Sequence, residues 1–554
     1  MSKMKKSILS IAMLLACGML FAQEEKQSAV VSVENDYNPV VVQVSKKSFT
    51  PTIESKAEGK PSKLIFSKQT TPFTGFTSER DAKELLPAQE KSLPGYFRAG
   101  YGIRNDIDSK LSYNLRFNDK SVLRAMAAFD GFKSDVKGYS HEWNSRMYNT
   151  AVLADYTYKF DKLHLSVGGN FNNRAFNYQR AEAANTPTDR QHHMNYGANI
   201  KAVSQFAGPF AFSLWADYRH SLMSYCDGAE KPITEDHING GLLLSYEIFS
   251  KYVRKAGLEL DFNGFIYNGM LLNAANGYRN LLSFDINPFV DFNFNGWMLT
   301  AGADMNFVTA NSSVFAIAPN LKLEKNFTKR VSIYAKIGGG RKENGLAAIE
   351  SITPYWGYNS LTGKQLKPTY RIVDAAIGTR MSLEPLSLDI FAGYTLTNDD
   401  LLQQIEYSEP GNKGLIYTTF AQEQTHDAHA GIRLGFDCGG WMNICADARY
   451  DFWSCADKDL LAFKPEITAN ANIEIRPIKN LLIEAGYNFT RYTKSETQGR
   501  LGCKHDLHAR IGYKINRMFG VFAQGDNLMN MKYYEYYGYY TRGIRGMLGA
   551  TINF

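Results

Sequence analysis

Two short segments repeat an arrangement of residue types that can bind metal or move protons: His426-Asp427-Ala428-His429 and His505-Asp506-Leu507-His508. Imidazole and carboxylate are the usual side chains for both tasks at neutral pH. The flanking residues alternate polar and apolar, however, which is a strand pattern. On a strand, residues three apart point to opposite faces. Neither histidine pair can close on one ion, so the expectation is no metal site, with polarity near the lipid headgroups as the reading of both segments. Nucleophilic chemistry is no better supported. Gly138-Tyr139-Ser140-His141-Glu142 approaches a nucleophile elbow but lacks its closing glycine and its strand–turn–helix setting. No phosphate-binding loop or dinucleotide fingerprint occurs. We expect no catalytic residue, no cofactor and no enzyme activity.

The chain begins with Lys3, Lys5 and Lys6, followed by an apolar run from Ile8 to Phe21 and then Ala22. This order is that of a secretory signal peptide, residues 1–22, cleaved after Ala22. Leu14-Leu15-Ala16-Cys17 offers a lipoprotein signal as the alternative, but the apolar run continues past Cys17. No later stretch is long and apolar enough to cross a membrane as a helix. The net charge of +7 includes the three leader lysines and gives no argument for nucleic acid.

From about Tyr96 the pattern has period two. Trp297, Leu299, Ala301, Ala303, Met305 and Phe307 form one face of a run whose other face carries Thr300, Asp304 and Asn306. Ile444, Ala446, Ala448, Tyr450 and Phe452 alternate likewise with Cys445, Asp447, Arg449 and Asp451. Alternation over this length predicts strands longer than the five or so residues usual in soluble sheets. Short connections, such as Asn118-Asp119-Lys120 and Asn295-Gly296, take turns with long ones, such as 178–192, 342–366 and 527–542. Tracing the chain up and down puts the short turns on one side and the long loops on the other, which is the plan of an outer-membrane barrel. The predicted fold is therefore all-β: residues 95–554 as a transmembrane antiparallel β-barrel of about 22 to 24 strands, with the region near 402–421 deciding the number. Leu548, Ala550, Ile552 and the terminal Phe554 share one face of the last strand. That ending resembles the signal read by the barrel-assembly machinery.

The last quarter carries Asn527-Leu528, Tyr533-Tyr534, Gly538-Tyr539, Gly543, Gly546, Gly549 and Phe554. Asp399-Asp400-Leu401 leads through Tyr407 and Asn412 to Gly414. These stretches resemble the barrel of TonB-dependent outer-membrane receptors, best between about residues 370 and 554; the Leu20-Phe21-Ala22-Gln23 end of the leader resembles that of exported proteins of the Bacteroidota. The resemblance implies energised uptake through a barrel that usually holds an N-terminal plug. Residues 23–94 are short for a plug and have no plug-like glycine-rich motif, so the chain looks like a plugless or short-arm relative. This arm contains Pro39-Val40-Val41-Val42-Gln43-Val44, loosely similar to a TonB box. Val40, Val41, Val42 and Val44 are the candidate partner strand for β-augmentation by TonB or another periplasmic protein. The alternatives are a small strand packed at the periplasmic mouth or in the lumen, and disorder.

Five cysteines follow the leader, an odd number without zinc-type spacing. The tracing puts Cys226, Cys455 and Cys503 on the outer side, Cys438 in a periplasmic turn and Cys445 in the lumen. Cys455 and Cys503 fall on neighbouring loops and form the candidate disulfide; unpaired cysteines are the alternative. The tyrosine-rich stretch from Tyr533 to Tyr540 reads as girdle and loop packing, with stacking on a sugar or planar ligand as the alternative. The expected partners are outer-membrane lipid and lipopolysaccharide, the assembly machinery, and TonB or a periplasmic or surface lipoprotein. A barrel of this size has a wide lumen that the arm, inward-folded loops or a second protein must narrow. The expected function is a receptor-like channel for a solute or ligand; the alternative is a scaffold for a surface lipoprotein, secretion or adhesion partner.

Overall fold

The computed structural model describes residues 93–137, 142–180, 190–204, 208–224, 232–268, 279–310, 312–357, 365–407, 414–497 and 499–554. The expected signal peptide, nearly all of the 23–94 arm with Val40, Val41, Val42 and Val44, and Cys226 lie outside these residues.

The first eleven strands are β1 (Gly95–Gly102), β2 (Ile107–Asn118), β3 (Ser121–Lys137), β4 (Glu142–Lys159), β5 (Leu163–Asn177), β6 (Arg190–Ser204), β7 (Phe210–Met223), β8 (Ile233–Glu247), β9 (Val253–Asn268), β10 (Leu281–Phe294) and β11 (Trp297–Ala310). They continue as β12 (Ser312–Thr328), β13 (Val331–Lys342), β14 (Thr369–Leu383), β15 (Leu386–Tyr407), β16 (Ile416–Cys438), β17 (Met442–Ser454), β18 (Pro465–Ile478), β19 (Leu481–Tyr492), β20 (Lys504–Lys514) and β21 (Phe519–Asp526). A small hairpin, β22 (Tyr534–Tyr536) and β23 (Tyr539–Tyr540), precedes β24 (Arg545–Asn553).

All strands except the small hairpin form one antiparallel sheet of 22. β24 pairs with β21 on one side and β1 on the other, which closes the ring. The seam runs from Tyr96 opposite Asn553 to Gly102 opposite Met547. At its foot, Gly95 and Phe554 exchange backbone hydrogen bonds of 2.7 and 3.0 Å. Closure satisfies the backbone that an open edge would expose to hydrocarbon.

The number is 22 and not 24, for a specific reason. The region near 402–421 does not add a strand pair to the wall. It prolongs β15 to 22 residues and β16 to 23, far more than a membrane crossing needs. A register shift between Thr397 and Asp400 separates this extension from the wall below.

Exposure alternates as the sequence pattern requires. Tyr450 and Phe452 are exposed on β17, while Asp451 between them is buried. The exposed set is lipid-facing and the buried set faces the lumen, the reverse of a soluble core. Lumen charges pair across strands: Arg98 with Asp108 at 2.5 Å, Arg341 with Asp285 at 2.7 Å, and Arg433 with Asp389 at 2.9 Å. At the short turns, exposed Phe117, Phe160, Tyr252 and Trp441 supply an aromatic girdle. The Asn295-Gly296 turn has φ of 49° and 76°, which suits the tight hairpin between β10 and β11.

Candidate functional site

The lumen-facing side chains change character toward the outer end. Further down β10 and β13 they include the ion-paired Asp285 and Lys336. At the tops of β7 to β11 they become Met223, Ile233, Phe265, Tyr267, Leu281 and Val308, all buried. A water-filled pore gives such residues nothing to bury against. Here they pack on the β13–β14 connection, which contains helix α1 (Leu346–Ile352). Leu346 and Ile349 of α1, with Trp356 beyond it, have no exposed surface. Their spacing puts Leu346 and Ile349 together against the barrel wall. Sequence reasoning took 342–366 as a polar outer loop. The signal it passed over is the apolar pair at helical spacing followed by a tryptophan.

Polar bonds fix this insertion. The Leu346 N–H, at the first turn of α1, donates to Glu235 Oε2 on β8 at 2.7 Å. Glu350 is buried and accepts from Arg174 on β5 at 2.6 Å and from Trp356 Nε1 at 3.3 Å. His193 Nδ1 on β6 lies 2.5 Å from its other side. Burial alone would raise the Glu350 carboxyl; His193 and Arg174 together hold it below the usual carboxylate range.

A second layer crosses the mouth. The start of β16 reaches the chain that follows β5. The Ile416 N–H donates to the Gln179 carbonyl at 2.9 Å, and Leu415 bridges Arg180. β5 and β16 are eleven strands apart whichever way the ring of 22 is counted, so this pairing joins opposite walls. The Thr418 N–H donates to the Tyr355 carbonyl at 2.7 Å, tying the hairpin to the α1 segment.

The Tyr533–Tyr540 stretch completes the cover. Tyr539 stacks on Tyr355 with ring centroids 3.6 Å apart and planes within 9°. Its hydroxyl donates to the Ile416 carbonyl at 2.5 Å. Tyr537 stacks on Phe463, which stacks in turn on Tyr492. Phe463 follows a short helical turn at 458–461, in which Asp459 accepts bonds from Ser495 Oγ and from the Glu496 and Thr497 N–H groups. Those bonds, led by Ser495, lower its carboxyl to about 2. The expectation of girdle and loop packing is met in its second half only: Tyr533, Tyr534, Tyr537 and Tyr539 are buried among the loops.

The other expected positions fall as follows. His426 points outward, 2.7 Å from the Tyr394 hydroxyl, while His429 turns inward to Asp427 at 3.1 Å. Asp427, His429 and Asp451 do bring ligand atoms within 4.8 Å of one another. The Arg449 guanidinium already bonds both carboxylates, at 2.8 and 2.5 Å, and supplies the positive charge an ion would bring. Cys455 and Cys503 are free thiols, which corrects the candidate disulfide. The Cys455 thiol instead donates to the Asp457 carbonyl at 2.7 Å, and burial pushes its pKa up. Leu548 and Phe554 lie exposed on the outer wall, and the Phe554 ring covers Gly95, where a Cβ would meet it at 2.4 Å.

The arrangement is thus a wide, charge-lined barrel whose outer mouth is spanned by three of its own loops. No protein-family model and no curated protein matches the chain. Solved structures do match. The ferric enterobactin receptor of Pseudomonas aeruginosa, in a point-mutant form, superposes with a TM-score of 0.63 at 11% identity, over 83% of this chain and 80% of that one. The siderophore receptor PiuA of Acinetobacter baumannii gives 0.60 at 13%, over 84% and 82%. The FrpB iron transporter of Neisseria meningitidis gives 0.65 at 10%, over 86% and 83%. The chain has the fold of these receptors. The likeness extends over the whole barrel and not only its last quarter.

Proposed function

We propose that the protein is a receptor-like channel that carries a solute or ligand across the outer membrane, with its own outer loops as the gate. The observation that carries this reading is the pairing of Ile416 with Gln179 over a lumen lined by paired charges. A folded cover on a polar barrel suits a route that opens on demand, because a permanently open pore of this width would breach the membrane. The substrate class to test first is a ferric siderophore, the ligand class in the names of the similar receptors. Residues 1–22 act as the leader, 23–94 as a periplasmic arm and 95–554 as the barrel. In that arm Val40, Val41, Val42 and Val44 offer a strand to TonB or a periplasmic partner, and Phe554 with Leu548, Ala550 and Ile552 addresses the assembly machinery.

The test is single-channel conductance of the mature protein in planar bilayers, alongside variants lacking residues 23–94 or residues 346–356. The expected result is a closed full-length protein and large openings once the α1 segment is removed. Openings only after loss of the arm assign the gate to the arm. No conductance from any variant means a filled lumen and overturns the transport reading. The scaffold reading then stands: a barrel displaying its loops to a surface lipoprotein, secretion or adhesion partner. The apolar clusters across the mouth are the observation that favours it.

A further inference from the structure

The wall is not of uniform height. β1 and β21 have 8 residues each and β24 has 9, against 17 and 18 for β3 and β4. At a rise of about 3.3 Å and a tilt of about 40°, eight residues reach only about 20 Å along the membrane normal. The apolar band of such barrels is about 25 Å tall. Along the closing seam, loop residues make up the difference. Ile103, Leu528, Met529, Met531 and Ile544 are all exposed there. Leu528, Met529 and Met531 are presented by a hydrogen-bonded turn. Asn527 accepts the Met531 N–H at 3.0 Å and donates to its carbonyl at 2.9 Å, and the Leu528 N–H donates to the Leu507 carbonyl at 2.8 Å.

Beneath this turn lies a groove of about 750 Å³ on the outward face of the seam. Its floor is Ala509, Ala523 and Gly546, small residues on β20, β21 and β24, and its sides include Tyr101 and Leu548. At the groove's upper end sits Arg104. It and Asn105 both have left-handed φ, 67° and 55°, which non-glycine residues adopt only when the surroundings hold them there. Arg104 is exposed and donates to the Asp135 carbonyl at 3.4 Å; it forms no ion pair among the described residues.

We propose that this seam is a specific site for one phosphorylated lipid of the outer leaflet, of the lipid A class. The acyl chains lie in the groove over Ala509, Ala523 and Gly546, and the Arg104 guanidinium meets the phosphate. The occupant follows from position and charge. The groove opens toward lipid at outer-leaflet depth, is apolar along its length, and ends in a cation. A lipid with chains and an anionic head matches both ends; a protein segment has no need of the cation, and free phosphate has no use for the groove. Charge-assisted bonds to phosphate and burial of acyl surface supply the two parts of the affinity.

The test is native mass spectrometry of the full-length protein in detergent, delipidated and then titrated with diphosphoryl lipid A. Parallel titrations use fully dephosphorylated lipid A and inorganic phosphate. The expected result is one lipid A retained per barrel, bound about tenfold more weakly by Arg104→Ala, the loss expected for one charge-assisted contact. Arg104→Lys restores part of it, and Ala523→Phe, which fills the groove, abolishes it. Heat-dependent gel mobility reports that each variant is a folded barrel. Equal binding of the dephosphorylated lipid, an Arg104→Ala affinity equal to wild type, retention by folded Ala523→Phe, or phosphate binding without the chains each overturns the proposal. So does a protein that co-purifies on this face and shields Met529 and Met531 from oxidation.

Discussion

The Ile416 N–H meets the Gln179 carbonyl at 2.9 Å although the strands they extend stand on opposite sides of the ring. One backbone hydrogen bond is worth about 1 kcal/mol net, so it cannot hold the mouth by itself. It marks where three loops converge, and their side chains carry the rest. The clusters that flank it contain Phe176, Tyr178, Tyr355, Tyr417 and Tyr539 on one side and Met223, Ile233 and Trp356 on the other.

Tyr539→Ala removes the stack on Tyr355 and the hydroxyl bond to the Ile416 carbonyl. Truncating a buried aromatic costs about 3–5 kcal/mol where the site cannot collapse. The wall is untouched, so heat-dependent gel mobility stays that of a folded barrel. Openings in planar bilayers should rise, together with protease cleavage near 534–540.

Glu350 gives the cover an acid limit. Against the upward push of burial, His193 and Arg174 hold its carboxyl below the ordinary range. Its stabilising contribution is therefore full above the unfolded pKa of about 4.3 and is lost as pH falls through the lower folded value. Channel opening should increase in strong acid. Glu350→Gln should open more at neutral pH, since it leaves Arg174 without its charge partner, and should respond less to acid. A wild-type opening probability that does not change between pH 7 and pH 3 contradicts this.

Asp459 behaves differently because its carboxyl is lowered further, to about 2, chiefly by the Ser495 hydroxyl. Its bonds are present above the unfolded value and are lost only as pH falls through about 2. Hydrogen exchange at the Glu496 and Thr497 amides should remain slow at pH 3 in wild type and become fast at any pH in Asp459→Ala.

Phe554 lies partly exposed over Gly95 and near the Tyr113 ring, 6.1 Å between centroids. Phe554→Ala removes the cover of the seam's foot. The expected loss is about 2 kcal/mol of barrel stability from the lipid and ring contacts given up. Denaturant unfolding in lipid vesicles measures it. Gly95→Ala puts a methyl in the ring's space, and the Phe554 ring must swing aside to admit it.

The sequence by itself determined the wall. A period of two fixes which side chains face lipid and which face the lumen, as Tyr450, Asp451 and Phe452 show, and the alternation of short and long connections fixes an even, up-and-down order. It also placed His426 and His429 on opposite faces. These are local rules, read from residues a few positions apart. The tertiary structure decided what closes the mouth, because that depends on contacts between segments hundreds of residues apart. Nothing near Tyr355 announces Tyr539, and nothing near Gln179 announces Ile416. The same limit explains the strand number and the cysteines. Whether 402–421 adds to the wall or extends above it depends on what Leu415 and Ile416 meet across the ring, and whether two thiols join depends on where their loops come to rest.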